Sequence, residues 1–223
     1  VTAGAPSAEG FVVGLVKDVR KHPDADRLSV CEVDTGDGER TIVCGAPNVA
    51  AGQLVPVALP GAVLPDGTTL KKANLRGVES NGMILSETEL ELGDDADGII
   101  VLAEGEELNG AKPGAALEEV VPLSQAVLEL EVTTNRSDCL AVYGVAREVH
   151  AVTGAELVSP PWEEDAKAEG EGEAEDYASV KVEVPDLCPR FTARVFTDVT
   201  IGPSPLWLKA RLMAAGQRPI NNV

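Results

Sequence analysis

Aromatic residues make up only 3% of this 223-residue chain, so aliphatic Val, Leu and Ala side chains must fill its cores. No apolar run approaches the roughly 20 residues that a membrane-spanning helix needs. Val1 is not a start methionine, and no basic-then-apolar signal precedes it. The expectation is a cytoplasmic protein with no membrane partner and with both chain ends cut. Cysteine is limited to Cys31, Cys44, Cys139 and Cys188, with no C-x-x-C pair among them. His22 and His150 are the only histidines, and neither stands at zinc-ligand spacing. The thiols are therefore expected to be small buried hydrophobes, forming neither metal sites nor disulfides. Enzyme signatures are missing as well. The chain has no P-loop, no G-x-G-x-x-G and no G-x-S-x-G, and two histidines do not assemble a nucleophile–base pair.

Positive charge is also scarce. The net charge of −19 taken alone argues against nucleic acid, because phosphate contacts need clustered cations. The distribution changes that reading. Residues 1–78 hold eight Lys/Arg against nine Asp/Glu, whereas residues 79–119 hold one against twelve and residues 163–176 one against eight. Residues 177–223 are mildly basic, with six against three. Nucleic-acid binding stays open for the first third and the last fifth of the chain, and the charge disfavours it for the rest.

What is present reads first as short strands. Phe11–Val16 is an apolar run ending at Lys17-Asp18, and Leu28–Asp34 alternates apolar and polar residues, the period of a half-buried strand. Gly36-Asp37-Gly38 is a hairpin turn, and residues 40–45 return as the next strand. Further strands are expected at 54–59, 82–86 and 99–102. Short strands at this spacing suggest a small closed barrel. Residues 127–132 alternate again. Ser137-Asp138 can then cap a helix with Leu140, Tyr143, Ala146 and Val149 on its apolar face and Gly154 as its stop. Residues 161–176, rich in acids and glycine, read as an exposed linker. Beyond it, strands are expected near 180–184 and 190–199. A helix should follow with Ser204 as N-cap, Pro205 at its first position and Gly216 just past its end.

Two segments invite a chemical reading. His22-Pro23-Asp24-Ala25-Asp26 sets a histidine beside two carboxylates, but Pro and Asp make a strand-to-strand turn the plainer interpretation. Lys71-Lys72-Ala73-Asn74-Leu75-Arg76-Gly77 supplies three cations and an amide within six residues, enough to position phosphates. The candidate RNA-binding residues are Lys71, Lys72, Asn74 and Arg76, with Lys17, Arg20 and Lys21 as extensions. No catalytic or metal-ligating residue is nominated.

These segments resemble a known family. His22-Pro23-x-Ala25-Asp26-x-Leu28, Val43-Cys44-Gly45-Ala46-x-Asn48, Leu75-Arg76-Gly77-x-x-Ser80-x-Gly82-Met83 and Gly98-Ile99-Ile100 resemble the EMAP-type tRNA-binding OB fold. Glu131-Val132-Thr133-x-Asn135-Arg136-x-Asp138-Cys139-Leu140 and Gly144–Glu148 look like the segment that follows this module in bacterial phenylalanyl-tRNA synthetase β chains. Cys188–Phe191, Pro203–Leu208 and Arg218–Val223 look like the start of the editing module of that subunit. The resemblance implies a mostly β plus α+β chain. Residues 1–7 would end a preceding domain and 8–120 would form the OB-fold tRNA-binding domain. Residues 121–160 would be an α+β remnant, 161–176 the acidic linker and 177–223 the truncated start of the editing-module domain.

For the parent protein the resemblance implies an α2β2 ligase that charges phenylalanine-specific tRNA using ATP and magnesium. Synthesis would lie on the α subunit, and this chain would hold no cofactor. Editing of mischarged tyrosyl-tRNA would lie mostly beyond Val223, so this chain would not carry that hydrolysis. Two rival readings are a stand-alone EMAP-type tRNA-binding or chaperone-like OB protein, and a structural insertion without direct RNA contact. The segments at 127–157 and 188–223 disfavour the first, and the Lys71–Arg76 cluster disfavours the second.

Overall fold

A computed structural model describes residues 2–105, 111–160, 162–163 and 172–223. Most of the acidic linker expected at 161–176 lies outside the described residues. The chain divides into two compact units, Val1–Leu128 with Ile201–Val223, and Glu129–Thr200.

The first unit is built on a nearly closed, OB-like barrel. In chain order its strands are β1 (Thr2–Gly4), β2 (Phe11–Lys21), β3 (Ser29–Asp34), β4 (Glu39–Cys44), β5 (Gln53–Ala58), β6 (Ala73–Leu75), β7 (Val78–Ser80), β8 (Met83–Ile84), β9 (Ala103–Glu104) and β10 (Ser124–Ala126). The main sheet runs β4-β3-β2-β5-β8, with β9 also on β5, and all its pairings are antiparallel. β1 pairs with β10, and β6 with β7.

Side-chain alternation explains β3 and β4. Cys31, Val33, Ile42 and Cys44 point into the barrel, while Glu32 and Thr41 face out. It does not explain β2 and β5, which are buried almost continuously in β5 and through the first half of β2. Two cores meet there. Val16, Val55 and Val57 join the barrel interior. Phe11, Val13, Leu15 and Leu54 instead join an outer core with Leu85, Leu90, Leu92, Ile100, Leu117 and Val121. The chain after the barrel strands thus wraps the outer face of β2 and β5, which is why those strands read as apolar runs rather than half-buried strands. Beyond Val16 a bulge shifts the register of β2 on β3, and Lys17 and Asp18 emerge side by side into solvent.

Several elements differ from the sequence expectation. Residues 99–102 are not a strand; Ile99 and Ile100 are buried but held by the Asn48 side chain and the Leu85 carbonyl, and β9 follows them. β10 ends at Ala126, and residues 127–132 form no strand, leaving Leu128 and Leu130 exposed. Residues 180–184 and 190–199 are not strands either. Alternation marks one face of a strand, but a ladder also needs a neighbouring edge to satisfy the backbone.

Helix α1 (Val142–Thr153) begins after a 3-10 turn at Ser137–Leu140, and Ala141 precedes it without a side-chain cap. Asp138 does not cap. Its carboxylate accepts the Arg136 fork, which also reaches Glu148 at 2.6 Å and ties the turn to the helix. This lowers the Asp138 carboxyl to about 2, chiefly through the Arg136 hydrogen bonds. The expected apolar face of α1 is largely open, with Leu140 and Val149 exposed, while Gly154 ends the helix at φ 71° as expected. Helix α2 (Leu206–Ala214) starts one residue later than expected, with Pro205 rather than Ser204 at the cap, and Gly216 lies just past its end. The Ser204 hydroxyl instead donates to the Asn221 carbonyl. α2 packs on the outer core through Ala210, and its Lys209 forms an ion pair with Glu87.

The expected burial of thiols holds for Cys31 and Cys44; Cys139 and Cys188 are half-buried, and all four are free. Burial pushes the Cys31 thiol from 9.0 up to about 12, with nearby Cys44, Glu32 and Asp18 adding to the shift. The unfolded chain loses this proton near pH 9, whereas the folded chain keeps it to about pH 12. The stabilisation from the neutral thiol is therefore complete below pH 9 and declines as pH rises from 9 towards 12. The slope is about 1.4 kcal/mol per pH unit for one proton. Urea midpoints should fall more steeply between pH 9 and about 11 in the wild type than in Cys31→Ala. Parallel curves would show that Cys31 does not titrate with unfolding.

Candidate nucleic-acid interface

Because the wrapping chain covers β2 and β5, the open face of the barrel is the outer side of β3 and β4. In an OB barrel this is the face over the second and third strands, flanked by the loops between strands one and two and between strands four and five. Here those loops are residues 22–28 and 59–82, and the second contains the β6–β7 hairpin.

The two loops are joined. His22 is 3% exposed, and both ring nitrogens are used. The Asp24 amide donates to Nδ1 at 3.1 Å, which leaves Nε2–H to donate to the Leu75 carbonyl at 3.0 Å. Arg76 donates from Nη1 to the Asp24 carbonyl at 3.2 Å. The segment read as a turn is a turn, but its histidine is a buried junction with the cationic hairpin.

At the hairpin tip Leu75 pairs with Val78, so Arg76 and Gly77 form a two-residue turn with φ of 49° and 90°. Both values are positive, the geometry for which Asn-Gly or Gly-Gly is cheapest. Asn74 supports the turn by accepting the Gly77 amide at 2.9 Å, so its carbonyl oxygen is engaged rather than offered to a ligand.

The nominated residues divide by this geometry. Lys71, Lys72, Asn74 and Arg76 lie on or beside the hairpin, which the His22 and Arg76 bonds bring to the end of β2, where Lys21 stands. Lys17, at the bulge, is four residues upstream, about 13 Å along an extended strand. Several cations already have acidic partners. Arg20 meets Glu32 at 2.6 Å, Lys21 meets Asp26 at 3.1 Å and Lys72 meets Glu79 at 3.8 Å. Glu32 also accepts from Thr41 Oγ1, so a carboxylate occupies the middle of the open face. Sequence reasoning passed over exposed Arg27, which lies in the loop that His22 anchors. Its place in the His22–Leu28 motif was the signal that could have found it.

Base stacking has no platform here. Phe11 is the only aromatic residue in 11–112, and it is 1% exposed. What this face offers a nucleic acid is phosphate contact from lysine and arginine. Among the described residues, no group of three or more His, Cys, Asp or Glu could hold a metal ion. No described helix is long and apolar enough to cross a membrane.

Residues 11–112 match the tRNA binding domain family, and residues 187–223 match the B3/4 domain family. The chain is similar along its length to curated phenylalanine–tRNA ligase beta subunits. It is 47% identical to that of Symbiobacterium thermophilum over 226 residues, covering 100% of this chain and 25% of the relative. With the Nitratidesulfovibrio vulgaris protein the identity is 48% over 218 residues, covering 96% and 26%. With the Geobacillus kaustophilus protein it is 47% over 222 residues, covering 96% and 27%. The chain thus spans about a quarter of the length of these relatives.

Proposed function

We propose that this chain belongs to the phenylalanine–tRNA ligase β-subunit family and contributes tRNA binding and subunit architecture to the ATP-dependent charging of tRNA with phenylalanine. The observation that carries the reading is the junction of two loops beside the open barrel face; these loops and the end of β2 carry exposed Lys21, Arg27, Lys71, Lys72 and Arg76. The working assembly in this reading is an α2β2 heterotetramer in the cytoplasm, with synthesis on the α subunit. The residues present do not fit the ATP and magnesium of the whole ligase. The chain has no Gly-rich phosphate loop, and its described residues form no metal-ligand cluster. The same reading assigns 8–120 to the tRNA-binding domain, 121–160 to a flanking α+β unit, 161–176 to a linker and 177–223 to the start of the editing-module domain. The family match at 187–223 supports the last assignment.

A second reading, a structural domain without RNA contact, is favoured by the acidic partners of Arg20, Lys21 and Lys72. Affinity for phenylalanine tRNA at several salt concentrations separates the two. Lys71, Lys72 and Arg76 are the proposed phosphate contacts. The Lys71→Ala/Lys72→Ala/Arg76→Ala variant should bind more weakly and lose roughly two to three units of the log–log salt slope. Unchanged affinity and slope would move the RNA surface elsewhere, and absence of binding by the wild type would favour the structural reading.

A further inference from the structure

We propose that His22 is a positioning residue for RNA binding: its buried ring holds the β6–β7 hairpin in register with the 22–28 loop, so that their cations form one surface. The inference rests on the tRNA-binding reading above. It starts from how little else holds the hairpin tip. All three residues of β6 are exposed, as are Arg76, Gly77 and Glu79. Ser80 is buried and anchors the base of the hairpin, binding Val43 and Gly82. The tip has no comparable apolar anchor, and segments with few buried contacts open locally at low free energy. It is tied to the 22–28 loop by the bonds from His22 to Leu75 and from Arg76 to Asp24. The His22 bond is the better shielded of the two, made by a ring that is only 3% exposed, whereas the Arg76 bond is exposed, and the same ring also fixes the Asp24 amide. The Asp24 carbonyl that Arg76 reaches therefore depends on the ring that holds Leu75.

Arg76 gives a second, independent indication. A non-glycine residue at φ 49° is strained by roughly 1–3 kcal/mol, and such strain persists where surrounding structure imposes it. Asn or Gly would fit this turn more cheaply. An arginine there puts a guanidinium at the hairpin tip, and the His22 junction fixes where the tip stands.

The chemistry of the ring makes the idea testable by isosteres. A glutamine amide reaches the Nε2 position and can donate to Leu75. An asparagine amide reaches only the Nδ1 position and can accept from Asp24. The experiment uses the full chain and phenylalanine tRNA, with affinity read across salt concentration and amide exchange read in parallel. His22→Ala and His22→Asn should lose affinity and about two units of salt slope, as if the hairpin cations had been removed. His22→Gln should keep most of both. In the His22→Ala background the triple cation change should have little further effect, a non-additivity expected only of coupled sites. Exchange in His22→Ala should accelerate in 22–28 and 73–80 while β2 to β5 stay protected, which separates loss of positioning from unfolding. The inference is overturned if His22→Ala retains wild-type affinity and slope, or if hairpin exchange does not change. If wild-type chain does not bind tRNA, the functional reading fails instead, and the exchange data still decide whether His22 holds the hairpin.

Discussion

Gly36→Val should lower the stability of the chain by about 2–5 kcal/mol, combining an L-residue in a left-handed conformation with overpacking. Gly36 lies in the β3–β4 turn at φ 82°. A Cβ there would stand 2.5 Å from Gly114 Cα and 2.7 Å from the Pro113 carbonyl oxygen. Both neighbours are backbone, so neither can swing aside. Gly67 provides the control, with φ 84° and nothing within 4 Å of the point where a Cβ would stand. Gly67→Val has only the conformational cost, about 1–2 kcal/mol. Urea denaturation of both variants isolates the tertiary share. Equal losses would show that the 113–114 segment does not press on the turn.

Ser80→Ala is expected to cost about 2–4 kcal/mol, because two backbone groups inside the barrel lose their partner. The seam between β4 and β8 is where this barrel falls short of full closure, and Ser80 bridges it. Its Oγ accepts the Val43 amide at 3.0 Å and donates to the Gly82 carbonyl at 3.0 Å, while the Asn81 amide donates to the Thr41 carbonyl beside it. Ser80 is 4% exposed, so water does not readily replace the hydroxyl. Thr68→Ala, which removes an exposed hydroxyl bonded to Asp66, should stay within about 0.5 kcal/mol of wild type. The Val43 amide should exchange much faster in Ser80→Ala. A midpoint like that of Thr68→Ala would mean that the seam is held by apolar packing alone.

Ser80 anchors the base of the hairpin that carries the proposed RNA contacts, so the two levels of the molecule meet there. Stability of the seam sets where the hairpin begins, and His22 sets where its tip lies. A Ser80 variant should therefore weaken RNA binding even though it removes no charge.

Much of this was written in local pattern. The alternation in β3 and β4, the Gly36-Asp37-Gly38 turn, the stops at Gly154 and Gly216 and the cationic stretch at 71–76 all follow from residues close in sequence. Side-chain period and positive-φ demand act over a few residues, so a single chain displays them. The motifs at 22–28, 43–48, 75–83 and 98–100 were legible as motifs too, but their purpose was not. Tertiary structure joins them in pairs. His22 meets Leu75, Ser80 meets Val43, and Asn48 clasps the amide and carbonyl of Ile99. Each pair is separated by 37 to 53 residues, and a hydrogen bond across such a distance leaves no periodicity. The same reason accounts for the strands expected at 127–132, 180–184 and 190–199. Alternation is a property of one segment, whereas a strand needs a second segment to bond. The sequence by itself thus determined the inward and outward faces of β3 and β4 and the position of the cations along the chain. Only the tertiary structure decided which outer face is left uncovered, which cations are already paired, and that a buried histidine unites two loops. Those outcomes depend on contacts between distant residues, and burial exists only once the chain has closed on itself.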